Sequence, residues 1–273
     1  MESLPYLLVA ERSVLPIIGC VVESLEKYAD ASSITTVVPE ADMESFRNGR
    51  CGRHRILSEE EVLPEWPLGR IRSLLHAYPD RAGWYLQQFL KLNFGRATNV
   101  AHYVVWDADT VMLACPEYLQ EGHVLMNSSR QYNRSYFQTY CELFGAPPVL
   151  TRSVITQYML IETRIVHELQ AELEQRHKCD WVEAILRVIP GTTISEFSEY
   201  ETYANYYEWR HPGSIQLEEY KWFRYGAYVF PDADRSLEAI EARFHGYGYV
   251  AFERHKSSWL KILGAKALCR MGL

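Results

Sequence analysis

The fold of this 273-residue chain is decided by the segment Tyr103-Val104-Val105-Trp106-Asp107-Ala108-Asp109-Thr110-Val111. Its apolar start predicts a buried strand, and two carboxylates separated by one residue follow where that strand ends. Open α/β sheets bind their ligands at the carboxyl ends of the strands. Because alternate residues of an extended segment point the same way, Asp107 and Asp109 can converge on one cation. The alternative is a solvent-exposed turn in which the two acidic residues have no functional role.

Short apolar runs alternate with amphipathic stretches on both sides of this segment. Strands are predicted at residues 6–10, 34–38, 55–57, 103–106, 122–126 and 247–252. Helices are predicted at residues 14–28, 83–96, 163–177, 181–188 and 236–244. Strands that alternate with helices imply parallel pairing, so we predict an α/β fold. The second half, after Ala146-Pro147-Pro148, also holds two aromatic-rich segments at 197–209 and 220–230.

Composition excludes several classes of protein. The formal net charge of −7 argues against a general nucleic-acid binder, which needs a dense basic surface. Six scattered cysteines without a Cys-x-x-Cys pair favour reduced thiols in a cytoplasmic protein. No apolar stretch approaches the roughly 20 residues that cross a bilayer. Glu2 and the lack of a basic N-terminal region argue against a signal peptide.

Three segments together resemble a bacterial family of glycosyltransferases with the GT-A architecture. They are the helix Trp84-Tyr85-Leu86-Gln87-Gln88-Phe89-Leu90-Lys91-Leu92, the strand end Asp107-Ala108-Asp109, and the later Ser198-Glu199-Tyr200-Glu201. The resemblance covers most of the chain and implies a GT-A-like α/β fold, with a mixed central sheet flanked by helices. It implies that a sugar is moved from a nucleotide-diphosphate donor, a UDP-sugar by first expectation, to a glycan or lipid-linked glycan acceptor. Mn²⁺ or Mg²⁺ is the cofactor that this chemistry implies.

The resemblance also implies contacts to the donor and the metal. Asp107 and Asp109 are the expected metal ligands, with His255 completing the shell and His211 and His245 as rivals. Further donor-binding candidates are Ala10, Glu11, Arg12, Gln88, Lys91, Ala108, Gln157, Arg254 and Lys256. For several of these residues, a structural role is the alternative to donor binding. Glu11 can favour a helix dipole, Gln88 and Lys91 can form a solvated helix face, and Gln157 can belong to a buried strand.

An inverting transferase needs a carboxylate that takes the proton of the acceptor hydroxyl. Glu199, preceded by the possible helix cap Ser198, is the expected base, and Glu201 is expected to be structural or to bind acceptor hydroxyls. The alternative is a helix whose acidic first turn complements its dipole.

We expect one catalytic domain at 1–255, with a nucleotide-binding half at 1–126 and an acceptor-side half at 127–255. The tail at 256–273 is basic and amphipathic, so it packs on the domain or contacts the inner face of a membrane peripherally.

Two rival functions stay open from the residues alone. Asp107 also matches the nucleophile of haloacid-dehalogenase-like phosphohydrolases, which would hydrolyse a phosphate without a sugar acceptor. A non-catalytic carbohydrate-binding protein on a transferase scaffold would bind sugars without metal dependence or nucleotide affinity.

Overall fold

The structure is a computed structural model that describes residues 3–47, 54–230 and 236–253. Its strands are Pro5–Val9 (β1), Ser33–Val38 (β2), His54–Ser58 (β3), His102–Trp106 (β4), Thr110–Met112 (β5), Leu119–Gln120 (β6), His123–Asn127 (β7), Tyr158–Glu162 (β8), Ile215–Glu218 (β9), Trp222–Phe223 (β10) and Tyr249–Ala251 (β11). Its α-helices are Leu15–Tyr28 (α1), Met43–Arg47 (α2), Glu59–Val62 (α3), Leu68–Leu74 (α4), Ala82–Thr98 (α5), Arg134–Phe144 (α6), Thr163–His177 (α7), Trp181–Val188 (α8), Glu199–Arg210 (α9), Gly226–Val229 (α10) and Leu237–Arg243 (α11). Short 3₁₀ helices lie at Arg12–Val14, Glu40–Asp42 and Pro79–Arg81.

The central sheet has five strands in the order β3-β2-β1-β4-β8. β1 pairs in parallel with both β2 and β4, and β2 pairs in parallel with β3. β8 is antiparallel to β4, with Tyr158 opposite Trp106. This mixed sheet flanked by helices confirms the predicted α/β class. The antiparallel member of the sheet is β8: the backbone of Gln157 meets that of Asp107 at the carboxyl end of β4, and the chain then runs back along β4.

A second, three-stranded sheet in the order β10-β11-β5 continues from the acidic segment. β11 runs antiparallel to β5 with Ala251 opposite Thr110. The backbone N–H of Phe252 donates to the carbonyl of Asp109 over 2.8 Å. Glu253 therefore comes next to the acidic pair, although it is far away in sequence. A third sheet has the order β6-β7-β9.

Helix α5 is packed on several sides, because eleven of its seventeen residues are buried. It contacts β1, β4, α7 and α9. Gly95 lies where a Cβ would stand 2.9 Å from the ring of Tyr103 and would also collide with the side chain of Thr163. The lack of a side chain at Gly95 therefore lets α5 approach β4 and the start of α7 closely.

The predicted bounds of α7 and α8 are confirmed to the residue. None of the helices in the described ranges is long and apolar enough to cross a membrane. The described cysteines Cys115, Cys141 and Cys179 are free thiols. The tail expected at 256–273 lies outside the described residues.

Candidate active site

A lysine joins two carboxylates at the carboxyl edge of the central sheet. The Lys91 ammonium lies 2.8 Å from Asp107 Oδ1 and 2.8 Å from Glu199 Oε1. Lys91 comes from the middle of α5, Asp107 follows β4, and Glu199 begins α9. Lys91 and Glu199 are buried, whereas the Asp107 side chain is 21% exposed. These three residues, called the lysine bridge below, place one cation between two anions that come from different parts of the chain.

The start of α9 is held by side chains of its own and of α5. Ser198 is the N-cap, as predicted, and its hydroxyl accepts the backbone N–H of Glu201 over 3.3 Å. Gln88 Oε1 accepts the backbone N–H of Glu199 over 3.0 Å, and its Nε2 donates to the carbonyl of Trp84. Gln88 and Lys91 are three residues apart on one helix, so both reach the same neighbour. Two of the first N–H groups of α9 are thereby satisfied, and Glu199 is fixed relative to α5.

Charge compensation inside the lysine bridge acts on the pKa values of Lys91 and Asp107. Burial opposes the charge of Lys91, but the carboxylates of Asp107 and Glu199 outweigh it and hold the lysine pKa well above its ordinary value. Burial raises the pKa of Asp107, and Lys91 acts in the opposite direction. Tyr200 adds a further contact, since its hydroxyl donates to Asp107 over 3.4 Å and its ring lies 4.8 Å from the Lys91 ammonium.

Asp109 lies beside the lysine bridge, but the bridge does not neutralise it. Burial, followed by the negative charges of Asp107 and Glu253, raises the pKa of Asp109 to about 7. Its side-chain contact in the described structure is a 3.4 Å hydrogen bond from the hydroxyl of Thr110. Within 3–47, 54–230 and 236–253, Asp109 makes no ion pair with a lysine or arginine. This corner of the site therefore carries excess negative charge.

The donor atoms present fit a hard divalent cation held partly by substrate. Asp107 and Asp109 supply carboxylate oxygens, and magnesium-like ions in phosphate-binding sites often take only one or two carboxylates plus substrate phosphates and water. A cation would also relieve the excess charge at Asp109. Over the described part of the chain, no group of three or more His, Cys, Asp or Glu side chains is arranged to hold a metal ion. The expected third ligand, His255, lies outside the described residues.

Residues that the sequence analysis did not single out fix the acidic loop from the other side. Glu253 accepts hydrogen bonds of 2.9 Å from Gln157 Nε2 and from the Arg224 guanidinium. Gln157 in turn accepts the hydroxyl of Thr110 over 3.0 Å and, through its backbone carbonyl, the N–H of Asp107 over 2.8 Å. The amide of the predicted donor contact Gln157 is thus engaged with the protein, and here it positions the loop. The position of Glu253 directly after the predicted strand at 247–252 is a signal in the sequence that could have identified it as a site residue. No comparable signal in the sequence points to Arg224.

Four other predicted donor residues follow the carboxyl ends of β1 and β4. Ala10 is buried at the end of β1, and β1 is the parallel neighbour of β4. Glu11 is exposed and accepts the hydroxyl of Ser13, while Arg12 is exposed and pairs with Asp42 at 3.1 Å. Ala108 is buried between the two aspartates. Arg254 and Lys256 lie outside the described residues.

Glu201 is buried among structural partners. Its carboxylate accepts the hydroxyl of Ser153 over 2.5 Å and the amide of Asn205 over 3.5 Å. Burial raises its pKa to about 6, against the opposing hydrogen bonds from Ser153 and from the backbone of Val154. These contacts support the structural alternative for Glu201.

The two rival histidines lie elsewhere. His211 follows the end of α9, about 18 Å along the helix from Glu199, and pairs with Glu168 at 2.8 Å. His245 is exposed after α11.

The chain is similar to solved structures, two of which are described here, and it matches one family. The crystal structure of the galactosyltransferase LgtC in complex with donor and acceptor sugar analogs is 12% identical, with a TM-score of 0.46 over 98% of this chain and 95% of that chain. An active-site glutamine-to-glutamate variant of LgtC is also 12% identical, with a TM-score of 0.45 over 97% of this chain and 95% of that one. No curated protein sequence matches the chain. The sequence profile of a family of unknown function, DUF6492, matches residues 16–231, and the chain therefore belongs to that family.

Proposed function

We propose that this protein is a metal-dependent glycosyltransferase that moves a sugar from a nucleotide-diphosphate donor to a glycan or lipid-linked glycan acceptor. The observation that carries the proposal is the lysine bridge, with Asp109 beside it, at the carboxyl edge of a mostly parallel sheet. Ligands of such sheets bind at that edge. The resemblance of the three sequence segments to GT-A transferases agrees with this placement.

The donor half of the reaction uses Asp107, Asp109 and Lys91. Asp107 helps to hold the ribose and the metal, and Asp109 is the main metal ligand. A bound Mn²⁺ or Mg²⁺ supplies charge neutralisation for the departing diphosphate. Lys91 holds Asp107 in place through its 2.8 Å contact. Ala10, Glu11, Arg12, Gln88, Ala108, Gln157, Arg254, His255 and Lys256 stay predicted members of the donor and metal sites.

Glu199 is the proposed general base. The acceptor oxygen attacks the anomeric carbon, the bond from that carbon to the diphosphate breaks, and Glu199 takes the hydroxyl proton. Lys91, Gln88 and Ser198 position the Glu199 carboxylate through the contacts described above. The reaction is then a single displacement with inversion at the anomeric carbon. The proposed catalytic domain is 1–255, and the basic amphipathic tail at 256–273 either packs on that domain or contacts a membrane peripherally.

The first experiment is a calorimetric titration of the chain with UDP, GDP, CDP and CMP, each with and without Mn²⁺. We expect one nucleotide to bind only with metal, and Asp109→Ala to lose that binding. Glu142→Ala, which removes an exposed acid on α6, is the matched control and should bind as the wild-type chain does. Failure of all four nucleotides to bind under both conditions would refute the proposal and direct attention to phosphatase assays and glycan arrays.

The base is tested separately from donor binding. Glu199→Gln should retain the nucleotide affinity and lose transfer to the acceptor, because only the proton acceptor is removed. Glu201→Gln should retain both, since Glu201 is engaged with Ser153 and Asn205. Equal loss of transfer in the two variants would reject Glu199 as the base.

A further inference from the structure

A half-buried arginine that contacts the segment before α9 has no acidic partner among the described residues. Arg81 directly precedes α5 and is half-buried. Its Nε donates to the carbonyl of Ile194 over 2.9 Å, and its Nη2 donates to the hydroxyl of Ser195 over 3.2 Å. The guanidinium lies 4.4 Å from the ring of Trp84. Only two of its five N–H groups have a partner in the described structure.

The segment that Arg81 contacts is held in place by other groups. Glu196 is buried, and its carboxylate accepts the backbone N–H groups of Gly191, Thr192 and Thr193 over 2.7, 2.7 and 2.8 Å. Both acceptors that Arg81 contacts are uncharged, so a neutral hydrogen-bond donor could make the same two contacts, and the positive charge of Arg81 is not needed to hold this segment. No carboxylate of the described residues lies within ion-pair distance of its guanidinium. Burial accordingly lowers the pKa of Arg81, the mark of a cation that the fold itself does not compensate.

Tyr136 connects this cation to the proposed base. Burial raises the pKa of Tyr136, and the negative charge of Glu199 acts in the same direction, while the positive charge of Arg81 opposes it. Both charges therefore lie within electrostatic reach of one hydroxyl. Gln88, which accepts the backbone N–H of Glu199, is seven residues beyond Arg81, or about 10 Å along α5. Asn133, the N-cap of α6, also reaches this region and donates to the carbonyl of Ser195 over 3.1 Å.

We propose that Arg81 binds an anionic group of the acceptor, a carboxylate or a phosphate, so that the acceptor is an acidic rather than a neutral glycan. This inference rests on the proposed function, because Glu199 defines the acceptor side. The planar guanidinium fork suits both oxyanions, and its three remaining N–H groups are enough for a bidentate contact. Trp84 and Tyr136 beside it offer the half-buried aromatic surface that sugar rings pack against. The donor diphosphate belongs with Asp107 and Asp109, across the lysine bridge.

The test compares acidic and neutral forms of the same oligosaccharide by calorimetry. The probes are trigalacturonic acid with its methyl ester, and a 6-phosphorylated mannotriose with plain mannotriose. We expect at least tenfold tighter binding of one acidic form than of its neutral form, a preference that weakens as salt is added. The pair that shows the preference identifies the oxyanion.

Variants of two comparable arginines assign the preference to one residue. Arg81→Gln should abolish it, and Arg81→Lys should retain part of it because the charge is kept. Arg70 is the matched control: its guanidinium lies 3.7 Å from the ring of Trp66 and donates to the carbonyl of Glu65, so Arg70→Gln removes an equivalent stacked cation elsewhere. That control should keep the full preference.

Three results would overturn the inference: equal binding of acidic and neutral forms, no binding of either pair, or a preference that survives in Arg81→Gln. Nucleotide titration of the same variants separates this failure from failure of the proposed function. Metal-dependent nucleotide binding without an acid preference would refute the Arg81 inference alone. An Arg81-dependent acid preference without any nucleotide binding would support the anion site and refute the transferase.

Discussion

Lys91 is the residue on which the charge balance of the site depends. It contacts two carboxylates at 2.8 Å, and it is buried with Glu199. A buried ion pair contributes little when intact, because desolvation offsets most of its attraction. Removing one member is costly, however, since the remaining charges stay buried without compensation. The same side chain therefore serves stability and the geometry of the proposed base.

Lys91→Met keeps the apolar stem and removes the charge, which leaves Asp107 and Glu199 facing each other. We expect the free energy of unfolding to fall by about 3–5 kcal/mol, as measured in urea. Lys27→Met is the matched control, since Lys27 pairs with Glu241 at the surface with half of its side chain exposed. Surface pairs are screened by water, so that variant should change stability little. Similar losses in both variants would show that Lys91 does not act as a buried counter-ion.

Glu201 makes the free energy of unfolding depend on pH in a way that can be assigned to this one residue. Burial raises its pKa to about 6 in the folded state, above the ordinary value of 4.5. The folded state therefore binds the proton more tightly, and stability falls as the pH rises from about 4.5 through 6. The expected loss is about 2 kcal/mol at pH 7.5 relative to pH 4.

Glu201→Gln should remove this loss, because the amide keeps an oxygen acceptor for Ser153 without a titrating charge. The measurement is the difference in the free energy of unfolding between the variant and the wild-type chain at several pH values, in which all other groups cancel. A difference that stays constant from pH 4 to 7.5 would mean that Glu201 has an ordinary pKa in the folded state.

At the scale of elements, α5 brings the site together because it lies close to its neighbours at Gly95. A Cβ there would lie 2.9 Å from the ring of Tyr103 and would collide with Thr163. Gly95→Ala should therefore destabilise the protein by about 1–3 kcal/mol through overpacking, although alanine favours helices. Gly83→Ala, in the first turn of the same helix, meets no atom within 4 Å and should be neutral or stabilising by up to about 1 kcal/mol. Thermal unfolding of the two variants measures the contrast, and a stabilising Gly95→Ala would disprove the close approach.

Elements with a clear hydrophobic period could be predicted from the sequence, whereas several short strands could not. The bounds of α7 and α8 were predicted to the residue because their apolar positions repeat with the period of a helix. β5, β9 and β10 have two to four residues each, too few for a period to show. β8 was missed because Tyr158–Glu162 runs directly into α7 without a turn signal.

At the scale of the whole molecule, three members of the candidate site could be named from the sequence, but their contacts could not. Asp107, Lys91 and Glu199 each stood out through a local motif. The lysine bridge joins residues 108 positions apart in the chain, and no local pattern encodes such a distance. Glu253 and Arg224 were missed for the same reason, because β11 reaches the acidic loop only through its pairing with β5.

The same long-range pairing ties the two halves of the chain together. Trp106 at the end of β4 stacks on Tyr158 at 5.3 Å and meets Tyr249 edge-on at 5.7 Å, so residues after 126 cover a central strand of the first half. One buried apolar cluster extends from Tyr6 to Phe252 within the described residues. A piece cut at residue 126 would lose β8 from the side of β4 and β11 from the side of β5.

We therefore expect residues 1–253 to unfold as one unit, although chains of this length often unfold in steps. Tryptophan fluorescence and far-ultraviolet circular dichroism should give the same urea midpoint. A fragment of residues 1–126 should fail to fold, because removing β8 and β11 exposes the buried residues Val105, Trp106 and Val111 to water. Two separated transitions, or a soluble fragment with a cooperative transition of its own, would show that the nucleotide-binding half is an independent domain. In that case the lysine bridge would be an interdomain contact, and donor binding would be expected to change the midpoint of only one transition.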